Sequence, residues 1–440
     1  MKRWGLALLI LWVHVGDPLV AWLYGGGTWL QATWLRPIRD LTVLALAALC
    51  LLTVRMPRAL LVSVLAFGGL ALAYAPVGLV HGLPAGVVLG SLGVILVPMV
   101  FLLAGYGCFS TPRNLRFGAS ALVWLGLAST LFGMWEIVNT QFWVDTVRLP
   151  DYLANIKGVM PKDTDPHTGL PWNFFGGETY ARRAGGLLAA PLAQGQFLVT
   201  AALAALGLWQ TRWPWRALLV CAGLFVGVWM SGTRGSMLAG IVALLGYLLT
   251  SRGLVRSATA RVLLVGAALV AMVWASYGIV VASWNFRDGS TIGHWWALQR
   301  NLADLGQVAL WGGGLGRQGA FAARQALTDL GGGEGALFSI AYQMGVPCAL
   351  LFLGLVFWCL RTLWQAHVRH GDRLALATFW LLCGMVTTFV SSENALTVSG
   401  AGGFWLLLGG MLRQCAAATR FGAAVEPGTI RAPCIHAARA

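Results

Sequence analysis

The sequence predicts an all-α, polytopic membrane protein, and three observations carry that prediction. The first is composition: 440 residues are 58% hydrophobic and only 10% charged, against about 25% charged residues in soluble domains. A water-soluble fold has no place to hide that much apolar surface. The second is length: about twelve continuous apolar stretches of roughly 14–25 residues match the span of a bilayer. The third is the 22 tryptophans, a residue that favours the headgroup interface. Continuous apolar runs, rather than short alternating ones, exclude an outer-membrane barrel, and no strand is expected anywhere.

The expected spans are Trp4–Leu23, Leu41–Val54, Ala59–Val80, Ala85–Gly105, Phe117–Val138, Leu187–Leu208, Ala217–Met230, Met237–Thr250, Val262–Ala282, Ala336–Leu360, Leu374–Val390 and Ser399–Leu412. The first contains His14 and Asp17-Pro18 and has no clear small-residue cleavage site, so it reads as a retained helix rather than a signal peptide. With Lys2 and Arg3 inside, 18 of the 30 basic residues fall on the inner side of the membrane, against two acids there, Asp372 and Glu426. That is the bias of cytoplasmic loops. The net charge of +15 is thereby explained by topology, and its dispersal over many loops argues against nucleic acid. Both termini are expected to be cytoplasmic, in the inner membrane if the cell is Gram-negative. One transmembrane domain, residues 1–416, is expected, followed by a basic, alanine-rich tail at 417–440 without regular structure.

Two long loops, about 139–186 and 283–335, fall on the outer side. The second is polar and glycine-rich, and loops of that length seldom persist without a function. It is expected to be partly helical, with a helix opening near Ser290. On that helix Trp295, Leu298, Leu302 and Leu305 would share an apolar face, while His294 and Asn301 share another. Trp295 and Trp296 place it along the membrane surface. All eight cysteines, Cys50, Cys108, Cys221, Cys348, Cys359, Cys383, Cys415 and Cys434, lie in spans or on the inner side. No disulfide framework and no zinc-ligand spacing is present in the sequence.

Candidate chemistry gathers on the outer side. Arg183, where the first loop enters the membrane, and Arg234, in a turn between two short spans, sit where positive charge is disfavoured. Boundary arginines can snorkel to headgroups or cap a helix. They can also grip phosphate with the planar guanidinium, and two beside one cavity would hold a diphosphate. Arg182 is the weaker of the adjacent pair. Glu334 follows three glycines and begins a span; it reads as a helix cap or as a general base. His294 is the only histidine of the second loop, with the side chain that ordinarily titrates near neutral pH. Glu393 and Asn394, in the last outer turn, are candidates to line the same cavity, as is Asn301. Glu136 reads as reaching the interface. Asp145, Asp151, Asp163 and Asp165 read as solvated charges, and no metal site is expected. The run Gly312–Gly316 lacks a Walker lysine and a preceding strand, so it is no nucleotide loop.

Arg183-Ala-Gly-Gly186 through Pro191, the turn Ser231-Gly-Thr-Arg-Gly-Ser236, the glycines 312–316, and Glu334 followed by Gly345-Val-Pro347 occur in that order. Together they resemble the O-antigen ligase and O-antigen polymerase superfamily of bacterial envelope glycan transferases. The resemblance implies a glycan donor on undecaprenyl diphosphate and an acceptor hydroxyl on another glycan chain or on lipid A-core. It implies diphosphate binding by Arg183 and Arg234, a base at Glu334 or His294, inversion at the anomeric carbon, and no cofactor or metal. Ligases of the family carry a histidine where this chain has Glu334. That difference, with a Gly-His pair early in the loop at Gly293-His294, tilts the expectation toward polysaccharide polymerisation. Two other classes compete. A transporter or flippase of lipid-linked oligosaccharide would carry charges at mid-membrane, and a scaffold would tolerate loss of Arg234 and Glu334.

Overall fold

The computed structural model describes residues 3–176, 181–210, 213–251, 257–275, 277–286, 289–319, 322–323 and 331–422. Within them the protein is helical. The helices are α1 Arg3–Tyr24, α2 Leu35–Thr53, α3 Arg58–Val80, α4 Ala85–Cys108, α5 Pro112–Val138, α6 Leu149–Asn155, α7 Pro191–Trp209, α8 Pro214–Met230, α9 Arg234–Thr250, α10 Ala258–Ala275, α11 Tyr277–Trp284, α12 Gly289–Asp304, α13 Ala336–Met344, α14 Val346–His370, α15 Arg373–Thr388 and α16 Val398–Gly422. Six segments among the described residues are long and apolar enough to cross a membrane: Arg3–Gly27, α3, α4, α5, α7 and α14. Pro214–Met230, Arg234–Thr250 and Arg373–Thr388 are apolar but shorter. The membrane character expected from composition is therefore present, with fewer full-length spans than twelve.

One expected span is broken within the described residues. Ala336–Leu360 is interrupted at Gly345, whose φ is 86°. There the Val346 N–H turns to the Ala309 carbonyl at 2.7 Å, so a loop segment lies in the break. Val262–Ala282 is helical over Ala258–Ala275 and Tyr277–Trp284, and residue 276 lies outside the described residues. The carboxy-terminal helix runs past 416 to Gly422, and the rest of the expected tail, with Cys434, lies outside the described residues. One short antiparallel pair, Phe175–Gly176 with Ala181–Arg182, corrects the expectation of no strands. It stands in the first long loop, where backbone groups have no helix to satisfy them.

At the centre is α7, buried on almost every residue and packed by α5, α8, α15 and α16. A helix apolar all round belongs in such a position. The outer helices present Val62, Leu65 and Leu72 on α3, Leu219 on α8 and Phe357 on α14 to the surroundings, the lipid-facing belt of a membrane bundle. The most extensive helix contact is α4 on α16. It is made by glycines: a methyl group on Gly105 would overlap the Leu406 carbonyl, and one on Gly409 would overlap the Leu102 carbonyl. Without a hydrophobic drive between helices in lipid, such close backbone approach is a main source of cohesion. Gly409→Val is expected to destabilise the bundle by about 1–3 kcal/mol or more, read as a lowered unfolding midpoint in detergent; an unchanged midpoint would show that α16 can shift freely.

The first long loop has its own small core of Trp143, Leu149, Tyr152, Leu170 and Phe174, closed against Val20 and Tyr24 of α1. Its attachment is ionic. Asp17 of α1 meets Lys157 at 2.8 Å, Arg36 at 3.2 Å and Arg39 at 3.4 Å. Burial pushes the Lys157 ammonium down, partly offset by Asp17.

Candidate functional site

Glu334 is two residues ahead of α13 and does not cap it. The first N–H groups of that helix are taken by the turn after α15: Ala336 donates to the Ser392 carbonyl and Leu337 to the Phe389 carbonyl, both at 3.0 Å. Gly335 makes this approach feasible, with φ of 92° and no room for a Cβ beside the Val390 carbonyl. Relieved of capping, the Glu334 carboxylate turns to α12, where its Oε2 lies 2.5 Å from His294 Nδ1. An ionised carboxylate only accepts hydrogen bonds, so Nδ1 carries the proton and Nε2 is the basic nitrogen.

The helix α12 is placed by its polar face. Ala297 and Asn301 are its buried residues, whereas Trp295 is 47% and Leu302 60% exposed. The apolar face expected from Trp295, Leu298 and Leu302 is thus not the packed one. Small and polar residues pack instead because the partner is a glycine run: a Cβ on Gly332 would strike the Ala297 backbone. Asn301 is the hub. Its Nδ2 donates to the Glu334 carbonyl at 3.0 Å, its Oδ1 accepts from Gly332 N–H at 2.8 Å and from Gln318 Nε2 at 2.9 Å, and its carbonyl accepts from the Tyr342 hydroxyl at 2.8 Å. Asn301→Ala strands the Glu334 carbonyl, the Gly332 N–H and the Gln318 amide, leaving the Tyr342 bond to the main chain intact, and is expected to cost about 1–3 kcal/mol; hydrogen exchange at Gly331–Gly333 should rise, and unchanged protection would rule the role out.

Arg234 opens α9 and reaches α12. Its guanidinium donates to Thr291 Oγ1 at 2.8 Å and to Ser283 Oγ at 3.0 Å. Thr291 is one turn before His294, so the arginine and the His294–Glu334 pair lie along one helix edge. They line a common cavity of about 270 Å³, with Phe286, Asn301, Val390 and Ser391. Both His294 and Glu334 are partly exposed, so the cavity opens to the surface.

Arg183 is behind Arg234, outside that lining. Its Nε donates to the Ser231 carbonyl at 2.8 Å and its Nη2 to Thr233 Oγ1 at 3.1 Å. Among the described residues it meets no carboxylate. The turn is built around it: Gly232 has φ of 59°, and a side chain there would collide with the Arg183 stem. Burial, and then the positive charge of Arg234, push Arg183 down to about 10. The two guanidiniums are thus close enough for the charge of one to be felt by the other.

Arg182, by contrast, is neutralised. Its Nη2 lies 3.2 Å from Glu136, which is fully buried and also accepts from the N–H groups of Gly185 and Gly186 and from the Trp143 indole. Glu136 thus corrects the expectation of an interfacial side chain: it clamps the segment that carries Arg183. Its position as an acid inside a span was the available signal. Glu393 and Asn394 are not in the cavity lining, which takes Val390 and Ser391 from the same turn. Thr291 and Ser283 had no sequence signal, being ordinary hydroxyls until Arg234 is placed against them.

The glycine run 312–316 is structural. Gly313 N–H donates to the Tyr342 carbonyl at 2.7 Å, Gly314 N–H to the Gln343 carbonyl at 3.1 Å, Leu315 N–H to the Tyr74 carbonyl at 3.2 Å and Gly316 N–H to Gln343 Oε1 at 2.7 Å. Those amides have no capacity left for phosphate. Among the described residues no three His, Cys, Asp or Glu side chains gather as a metal site.

No model of a known protein family matches this chain, and no curated protein does.

Proposed function

We propose that this membrane protein is a glycan transferase of the O-antigen ligase and polymerase type, moving a glycan from undecaprenyl diphosphate to a sugar hydroxyl. The observation that carries the reading is the hydrogen-bonded His294–Glu334 pair at 2.5 Å in a cavity shared with Arg234. In this reading His294 Nε2 takes the proton of the acceptor hydroxyl. Glu334 fixes the tautomer and steadies the imidazolium, the division of labour of a carboxylate–histidine pair. The acceptor oxygen bonds to the anomeric carbon as the bond from that carbon to the phosphate oxygen breaks. The lipid diphosphate leaves with the electron pair, its charge met by Arg234 and, behind it, Arg183. Attack opposite the leaving group inverts the configuration.

The sequence departure at Glu334 acquires a physical meaning here. A glutamate replaces the expected histidine at loop re-entry, and a histidine stands opposite it on α12, so the pair keeps one imidazole. Polymerisation is favoured over transfer to lipid A-core, in the outer leaflet of the inner membrane with both termini inside. Arg234, the one charged residue of α9, stands at its first position rather than at mid-helix, which favours a transferase over a flippase.

The test is complementation of a deletion strain with His294→Ala or Glu334→Gln, with glycans resolved by gel. Each variant should lower transfer by about 10²–10⁴-fold. Single-unit glycan on lipid A-core would mark a polymerase, and unattached polymeric lipid-linked glycan a ligase. Normal chain length with both variants would sink the proposal.

A further inference from the structure

A second cavity, of about 740 Å³, lies at the other end of α9. Arg234 opens that helix at the first cavity, and Leu249, Thr250 and Ser251 close it at the second. By helix rise the two are roughly 24 Å apart, close to the thickness of a hydrocarbon core. The remaining wall comes from Arg261 on α10, Trp364 and His367 on α14, and Arg373 at the start of α15.

The charge of this wall is one-sided. Arg261 and Arg373 contribute guanidiniums, and no carboxylate is in the lining among the described residues. Asp372, next to Arg373, caps the start of α15, its Oδ1 accepting from the N–H groups of Leu374 and Ala375 at 2.9 and 3.0 Å. Arg261 has a buried Nε without a hydrogen-bond partner, and its Nη1 makes one long bond, 3.4 Å, to the Leu249 carbonyl. His367 holds the Asp372 carbonyl through Nδ1 at 3.1 Å, which leaves Nε2 for another group. The flank is apolar, formed by Leu249, Trp364 and Val368. Val368 is 65% exposed on the belt that faces lipid.

We propose that this cavity is a binding site for the phosphate headgroup of an anionic phospholipid, gripped by Arg261 and Arg373, with its acyl chains along Leu249, Trp364 and Val368. Guanidiniums suit the phosphate oxygens, and basic pockets between helices at the inner end of a bundle take such headgroups. The apolar flank selects a lipid over a free anion. The site is independent of the transfer chemistry at the opposite end.

Native mass spectrometry of the purified full-length protein in neutral detergent tests it, with phosphatidylglycerol, phosphatidylcholine and inorganic phosphate as probes. Wild type should retain phosphatidylglycerol at least about tenfold over phosphatidylcholine, and the Arg261→Gln/Arg373→Gln double variant should lose that preference, the scale set by two basic groups near an anionic headgroup. The Arg261→Lys/Arg373→Lys variant should keep most of it. Equal retention of both lipids by wild type would overturn the proposal without any variant. So would displacement of phosphatidylglycerol by millimolar phosphate, which would assign the cavity to a free anion, or undiminished preference in a folded Gln variant.

Discussion

Arg234→Ala is expected to reduce glycan transfer by about 10²–10³-fold, the loss seen when one preorganised donor to a developing negative charge is removed. The arginine is held by Ser283 and Thr291 on two different helices, so it is oriented before substrate arrives. The burden falls on it because Arg183 is outside the cavity lining and the two guanidiniums repel. Arg234→Lys should recover only part of the rate, since an ammonium keeps the charge and loses the planar fork. Turnover of a lipid-linked donor by purified protein, alongside the unfolding midpoint in detergent, checks this. Full turnover in a folded Arg234→Ala protein would remove Arg234 from the mechanism and with it the diphosphate site.

The second large effect is on stability. Glu136→Ala is expected to cost about 3–5 kcal/mol, the scale for removing one partner of a buried ion pair. Arg182 would be left buried and unpaired, and the N–H groups of Gly185 and Gly186 and the Trp143 indole would lose their acceptor. Replacing both charges, Glu136→Leu with Arg182→Met, should cost less than Glu136→Ala alone, because no orphan charge remains. Equilibrium unfolding in mixed detergent reads both. If Glu136→Ala unfolds at the wild-type midpoint, the carboxylate is no clamp. Transfer should also fall in Glu136→Ala, because the clamped segment leads directly into Arg183.

Apolar length and composition were enough to announce a helical membrane protein, since those properties are local and additive along the chain. The polar candidates His294, Asn301, Glu334, Arg183 and Arg234 stood out for the same reason: each is a group whose burial or boundary position is costly. Span continuity was less legible. The break at Gly345 was signalled by Gly345 and Pro347, but its partner, Ala309 and Leu310 entering from a loop, was not legible within 336–360. Which face of α12 packs on the protein was not legible from periodicity, because the partner surface is a glycine run that takes Ala297 and Asn301.

By itself, then, the sequence determined the solvent: so apolar a chain with so few charges must place its helices in lipid. It also determined which few polar groups need an explanation. Tertiary structure alone decided their pairing. It joined His294 to Glu334 across 40 residues, set Arg234 on the same helix edge, and withdrew Arg182 into a clamp with Glu136. The physical reason is that pairing depends on which backbone groups are already satisfied. The turn after α15 fills the start of α13, so the Glu334 carboxylate is left to find the imidazole.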